Sequence, residues 1–244
     1  MVISRERCHI CGKVNDFEIA EDATLYRDAT CSNCGASLRT SDVADVILKE
    51  YGEEYTSLAE AEDMLPFRTV LNASTSGYIH EYLKFYPEYI SGEYFDGVKS
   101  GQYKEGILCV DLCNIPFGDN SIDLVISEDV FEHVKDYEEG FREVYRVLRP
   151  NGRHIFTVPL HENRKTVSRI GNPKQVFHGD PIRGGGCIVY TDFGNDIQKL
   201  LEECGFSSTI VTGHKFYEPE EITDADATYD EYLDKKAYAE KYFK

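Results

Sequence analysis

From Phe67 onward, short apolar runs alternate with amphipathic stretches, the pattern of a parallel sheet whose strands are joined by crossover helices. RTVLNA, EYISGE, ILCVD, IDLVIS and RHIFTVP read as strands. Between the last two, VFEHVKDYEEGFREVYRVL sets Val134, Tyr137, Phe141, Val144, Tyr145 and Leu148 at helical spacing before the stop signal Pro150-Asn151-Gly152. NDIQKLLEECGF repeats the device with Ile197, Leu200 and Leu201 and stops at Gly205, after which SSTIVTG supplies a further strand. The pattern predicts a doubly wound α/β domain over residues 67–217, with a mostly parallel, seven-stranded, Rossmann-like sheet.

Before Phe67 the periodicity is different. Residues 1–40 are short, loop-rich and cysteine-bearing. SDVADVILKEYGEEYTSLAEAEDML reads as one or two helices, opened by Ser41 as an N-cap before Val43, Val46, Ile47 and Leu48, and forms a helical connector over residues 41–66. At the other end, Glu218, Glu220, Glu221, Asp224, Asp226, Asp230, Glu231 and Asp234 crowd residues 218–244, which read as an acidic, solvated helix or tail.

Composition narrows the function classes. A chain of 244 residues, 41% hydrophobic and 12% aromatic, buries a full core and fits one ordinary domain plus a small appendage. No run approaches the roughly 18 apolar residues of a membrane span, and MVISRERCHI lacks the apolar centre of a secretory signal, so the expected compartment is the cytoplasm. The net charge of -18 repels phosphate backbones and anionic lipid, which disfavours a nucleic-acid substrate. The oligomeric state is not set by the sequence.

The eight cysteines fall into two groups. Cys8-x-x-Cys11 and Cys31-x-x-Cys34 form two turns that each offer two thiolates, together a tetrahedral set. Gly12 and Gly35 follow the second cysteine of each pair, where positive φ lets backbone N–H groups approach sulfur. A thioredoxin-type pair would instead follow a strand and open a helix. The expectation is a structural zinc-ribbon-like module with no open coordination position. Cys109, Cys113, Cys187 and Cys204 read as small buried hydrophobes.

In doubly wound sheets the ligand sits over the carboxyl ends of the strands, where strand order reverses. The first strand ends in Asn72-Ala73-Ser74-Thr75-Ser76-Gly77, the second in Glu93, the third in Asp111-Leu112 and the fourth in Ser127-Glu128-Asp129. Glu93 lies roughly twenty residues past a small-residue turn, the place of an acid that accepts from ribose hydroxyls.

The run ILCVDLCNIPFGDNSIDLVISEDVFEHVKDYEEGFREVYRVLRPNGRHIFTVP resembles the central half of class I S-adenosylmethionine (SAM) dependent methyltransferases of the small-molecule type. An acid, I-P-F, D-N-S-x-D, E-H-V and R-V-L-R-P-x-G follow one another over residues 107–159, with a weaker likeness across residues 67–213. The resemblance implies SAM as cofactor, with Glu93 on the ribose, Asp111 on the adenine amino group and Leu112 at the ring edge. Ser127 and Glu128 would then line the methionine portion. In that family the first loop is an acid followed by G-x-G-x-G, whereas here Asn72, Ser74, Ser76 and Gly77 occupy the turn. SAM carries no pyrophosphate, so small serines leave room where a dinucleotide would need glycines.

Methyl transfer from a sulfonium is an in-line displacement, so alignment in a dry site does most of the work, worth roughly 7 to 11 kcal/mol. The stretch 160–192 is too long for a bare connection and reads as a substrate cover, with His161, His178-Gly179-Asp180-Pro181, Gly184-Gly185-Gly186 as a flexible hinge, and Tyr190. His178 is the candidate general base with Asp180 as its orienting partner; alternatively the two residues merely build a turn. In a second reading, Asp129, Glu132 and His133 share one helix face and bind a second divalent ion with His178. His9, His80, His154 and His214 suggest no further ligand set. The expected acceptor is a small molecule or a carrier-linked metabolite such as a sugar. The competing expectation, motivated by the altered glycine turn, is a zinc-ribbon interaction protein whose methyltransferase-like domain no longer binds SAM.

Overall fold

The computed structural model describes residues 2–18, 29–62, 64–161, 163–179 and 185–211. These divide into two compact units, one up to Pro66 together with Val211, the other Phe67–Ile210. The acidic stretch 218–244 lies outside the described residues.

In the first unit, β1 (Val2–Arg7) pairs antiparallel with β2 (Val14–Glu18), which pairs in turn with β3 (Thr30–Cys31). Two helices follow, α1 (Leu38–Tyr51) and α2 (Leu58–Ala61). Helix α1 starts because the Ser37 hydroxyl accepts from the Thr40 N–H at 3.1 Å, satisfying one of the orphan donors of a first turn. Its buried face is Leu38, Val43, Ala44, Ile47 and Leu48. Ser41 is therefore not the N-cap that the sequence suggests. It is a buried interior position whose hydroxyl accepts from the His9 N–H at 2.9 Å. A boundary at residue 40 falls inside α1. Backbone bonds from Leu58 N–H to His9 (2.8 Å) and from Ala59 N–H to Ile10 (3.0 Å) join α2 directly to the cysteine-bearing loop.

The second unit contains β4 (Thr69–Asn72), α3 (Gly77–Leu83), β5 (Glu88–Glu93), β6 (Tyr103–Lys104), β7 (Ile107–Cys109), β8 (Ile122–Glu128), α4 (Tyr137–Val147) and β9 (Leu148–Thr157). The sheet order is β6-β7-β5-β4-β8-β9. The pairings β7–β5, β5–β4, β4–β8 and β8–β9 are parallel, while β6 folds back antiparallel on β7. All four residues of β4 are buried, as a strand covered on both faces requires. The chain leaves β4 for β5 on one side and reaches β8 on the other, so strand order reverses at β4.

Among the described residues the central sheet is mixed and has six strands. SSTIVTG is not a strand over its described part, residues 207–211, and Ile210 and Val211 are 42% and 55% exposed, so nothing pairs them into the core. The later extended segments form separate small pairings. β10 (Leu160–His161) and β11 (Val167–Ser168) flank β14 (Thr191–Gly194), and β12 (Phe177–His178) pairs antiparallel with β13 (Cys187–Ile188). Helix α5 (Ile197–Glu203) buries Ile197 and Leu201.

The helix expected from Val130 to Leu148 is broken. Asp129 sits at φ 49°, Phe131–His133 form a single 3-10 turn, and α4 begins only at Tyr137, where the Asp136 carboxylate accepts from the Glu139 N–H at 3.1 Å. Phe131 stacks on Phe141 at 4.0 Å between centroids, and His154 stacks on Phe156 at 4.6 Å, forming an aromatic core beneath β8 and β9.

Two charged residues hold the sheet's surroundings in register. Asp123 accepts from the Arg68 and Thr69 N–H groups (3.0 and 2.9 Å) and from Arg149 (2.8 Å), tying the entry of β4 to the start of β9. Arg146 uses all five guanidinium donors: on Glu143, on the carbonyls of Ile115 and Phe117, and on Asp119, at 2.6 to 3.0 Å. The loop after β7 is thereby fastened to α4.

Candidate functional site

Because β4, β5, β7 and β8 are parallel, their carboxyl ends share one edge of the sheet. Asn72 ends β4, 3% exposed, and donates to the Tyr89 hydroxyl at 2.9 Å, to which His80 Nδ1 also lies at 3.0 Å. Burial pushes the Tyr89 hydroxyl well above the usual range. In the following turn the Ser76 N–H donates to the Ser74 hydroxyl at 3.3 Å, and Gly77 opens α3 at φ 85°.

Glu93, at the end of β5, accepts from both the N–H (2.7 Å) and the hydroxyl (2.9 Å) of Thr75 through Oε1. Asp111 accepts from the Cys113 N–H at 2.9 Å while its own N–H donates to the Ser100 hydroxyl at 3.0 Å, which fixes the turn beyond β7. Leu112 is buried beneath that turn. Glu128 closes β8, half-buried. The Ser127 side chain does not face this edge. It is 1% exposed and its hydroxyl lies 3.0 Å from Nε2 of His154, so it has only backbone to offer a ligand. Desolvation pushes that half-buried imidazole down to about 3, so it stays neutral.

Beyond β8 the chain builds a second group. Glu132 is 1% exposed, and its Oε1 lies 3.5 Å from His178 Nδ1 and 3.7 Å from His133 Nε2. His133 donates from Nδ1 to the Ile188 carbonyl at 2.7 Å, and the Tyr190 N–H donates to the Glu132 carbonyl at 2.8 Å, so β13 and the residues after it hold the 3-10 turn from behind. Asp129 is not part of this group: its carboxylate accepts from the Thr157 hydroxyl at 2.8 Å, and the broken helix removes the shared face expected for it. Asp180 lies outside the described residues; among those described, Glu132 is an acid beside His178. Gly186 is no slack hinge. At φ 72° it packs so tightly that a Cβ there would come within 2.4 Å of the His178 carbonyl oxygen.

Sequence reasoning named Glu132 only within an alternative and passed over Thr75 and Tyr89. An acid flanked by Phe131 and His133 in an apolar stretch was the available signal for Glu132, whereas Thr75 offered none.

In the first unit, Cys8, Cys11, Cys31 and Cys34 converge with all four sulfurs within 4.8 Å of one another. Cys8 and Cys34 sulfurs are 3.7 Å apart and those of Cys11 and Cys31 3.9 Å, too far for disulfides and close to the edge, about 3.8 Å, of a tetrahedron with 2.3 Å metal–sulfur bonds. The N–H groups of Gly12 and Gly35 close both turns at 2.8 Å, with φ of 75° and 83°. Asn15 donates to the Cys31 sulfur at 3.4 Å. Burial pushes the Cys8 thiol up to about 11.

Comparison with known proteins shows what the second unit is similar to. Residues 73–156 match the model of the methyltransferase domain family. An arsenite methyltransferase of Halobacterium salinarum is 30% identical over 125 residues, which cover 50% of this chain and 30% of that protein. A malonyl-[acyl-carrier protein] O-methyltransferase of Halorhodospira halophila is 26% identical over 113 residues, 45% of this chain and 34% of that protein. Among solved structures, the complex between the Haloferax volcanii Trm112 methyltransferase activator and a methyltransferase aligns with 70% of this chain and 74% of that one, at 19% identity and a TM-score of 0.41. Over residues 73–156 the second unit is thus similar to a methyltransferase domain. The chain spans about a third of the length of these two curated relatives, and neither of the two names a sugar. No helix among the described residues is long and apolar enough to cross a membrane.

Proposed function

We propose that this chain transfers a methyl group from S-adenosylmethionine to a small-molecule or carrier-linked acceptor. The single observation that carries the reading is the convergence of Glu93 and Asp111 on the strand-end edge beside the Ser74–Ser76 turn, in a sheet whose order reverses at β4. The cofactor lies over that edge: Glu93 takes the ribose hydroxyls, Asp111 the adenine amino group, and Leu112 underlies the ring. Asn72, Ser74, Ser76, Gly77 and the backbone at Ser127-Glu128 surround the methionine portion. The carboxylate of Glu93 already braces Thr75, so the ribose site and the small-residue turn form one unit.

SAM supplies an electrophilic methyl on sulfur. In the displacement the acceptor's lone pair forms the new bond to carbon as the carbon–sulfur bond breaks. The acceptor approaches from the insert side, where Glu132, His133 and His178 stand beyond β8, and the chain's contribution is alignment and exclusion of water. The two likenesses named above support an acceptor of small-molecule or carrier-linked kind.

The four-cysteine cluster suits one structural zinc. Its sulfur spacing and glycine-supported turns support that role, and four thiolates leave no coordination position for chemistry.

The test is calorimetry with SAM and with its demethylated product. Binding of both, lost on substitution of Glu93, is the expected result. A chain that binds neither would instead be an interaction protein built on a methyltransferase-like scaffold.

A further inference from the structure

We propose that Glu132, His133 and His178 form a binding site for a divalent transition-metal cation, separate from the four-cysteine cluster. Three observations carry it. The ligand atoms of these residues, one carboxylate oxygen and one ring nitrogen from each histidine, all lie within 4.8 Å of one another. Glu132 is 1% exposed, and among the described residues neither of its carboxylate oxygens has a hydrogen-bond donor; two imidazole nitrogens face Oε1, at 3.5 and 3.7 Å. A carboxylate withdrawn from water in this way is strongly disfavoured unless positive charge stands next to it.

The third observation is the tautomer of His133. Its Nδ1 contacts a carbonyl, that of Ile188, at 2.7 Å, and a carbonyl only accepts, so Nδ1 carries the proton. In the neutral ring, Nε2 then presents a lone pair toward the lone pairs of Glu132. A cation between them turns that repulsion into ligation. Donation of the second ring N–H to a backbone carbonyl is also what orients ligating histidines generally.

The spacing fits such an ion: ligands about 2.1 Å from a tetrahedral centre are about 3.4 Å apart, close to the two distances at Oε1. Two imidazoles and one carboxylate select zinc, iron(II), cobalt(II) or nickel(II) over magnesium or calcium, which take oxygen. Among the described residues three protein ligands converge, and a tetrahedral ion with three ligands keeps a position for an oxygen of a bound molecule. His178 is 28% exposed, against 14% for His133 and 1% for Glu132, so the open side lies toward His178. In this arrangement His178 is a ligand, and the ion takes over the activation of an acceptor hydroxyl that a base would otherwise supply. That last consequence rests on the methyl-transfer reading, whereas the ion site rests on the three residues alone.

The experiment is titration of Co²⁺ into the full chain loaded with a single equivalent of zinc, which the four thiolates take first, followed by calorimetry and visible absorption. The expected result is one cobalt bound beyond the zinc, with d–d bands but no thiolate charge-transfer band, because nitrogen and oxygen are the donors. His178→Ala and Glu132→Gln weaken cobalt binding at least about 100-fold, the upper end of what losing even an outer-shell partner costs. His178 is partly exposed, so His178→Ala keeps the test valid if Glu132→Gln disturbs folding. No cobalt beyond the zinc, a thiolate charge-transfer band, or undiminished binding by His178→Ala each overturns the site. SAM affinity is measured on the same samples: a chain that binds SAM without cobalt loses the ion site and keeps the methyl-transfer reading, and one that binds cobalt without SAM does the reverse.

Discussion

Glu93 grips Thr75 twice through a single carboxylate oxygen, at 2.7 Å to the N–H and 2.9 Å to the hydroxyl, and so ties the end of β5 to the turn after β4. The acid that the sequence assigns to a ribose is also the brace of the small-residue turn. Glu93→Ala is therefore expected to weaken SAM binding by about 1.5 to 3 kcal/mol, roughly ten- to hundred-fold, from the lost charge-assisted bonds. Thr75→Val keeps the N–H bond and is expected to cost less than about tenfold. Calorimetry on both variants checks the order; equal affinity for wild type and Glu93→Ala would place the cofactor elsewhere.

For the cysteine cluster, Cys31→Ser is expected to abolish bound zinc and unfold the first unit, since so small a segment depends on metal ligation for about 10 kcal/mol or more of its folding energy. Metal analysis and hydrogen exchange read the outcome. Protection should collapse in β1, β2 and α1 while β4, β8 and β9 keep theirs, because that sheet buries its own core.

His154 gives a pH prediction. Desolvation pushes its imidazole down to about 3 in the folded chain, from the ordinary 6.5 of the unfolded one. Above pH 6.5 both states are neutral and its contribution is fully present. As pH falls from 6.5 toward 3 only the unfolded state takes up the proton, so stability is lost, by at most about 1.4 kcal/mol per pH unit. Between pH 7.5 and 5 this one group removes about 2 kcal/mol. Urea unfolding at pH 7.5 and 5 should show a smaller acid loss in His154→Phe than in wild type. Identical losses would refute the buried neutral imidazole.

Gly186→Ala is expected to impair the acceptor side and spare the cofactor. Its φ of 72° and the 2.4 Å approach to the His178 carbonyl force the β12–β13 hairpin to shift. A large fall in methyl transfer with near-normal SAM affinity is the expected outcome, read by single-turnover rates and calorimetry together. Equal loss of both would mean that the hairpin supports the whole sheet.

Much of this was legible beforehand because it lies in local pattern. EYISGE is β5 to the residue, and the two C-x-x-C-G turns meet as their spacing implies. Ser41 misled because a helix start is read from a polar residue before an apolar face, and Ser37 fits that rule equally well; which hydroxyl meets its own backbone depends on His9, 32 residues away from Ser41. SSTIVTG has strand composition, but composition cannot supply the neighbouring strand that would cover it. The helical period runs unbroken through residues 130–148, yet Asp129 turns the chain and Thr157 holds that turn from β9. Glu132 meets His178 only because a hairpin folds back over β8, and no spacing rule reaches that far.

The position of β4 also shapes how the chain is made. It is the first strand of its unit to leave the ribosome, it is buried along its whole length, and one of its two partners, β8, arrives more than fifty residues later. At ordinary synthesis rates TVLN waits roughly 3 to 10 seconds with one edge open. A nascent chain stalled in that interval offers an apolar strand to any neighbour. Slow translation between residues 73 and 121 should therefore lower the yield of folded protein, without altering the finished molecule.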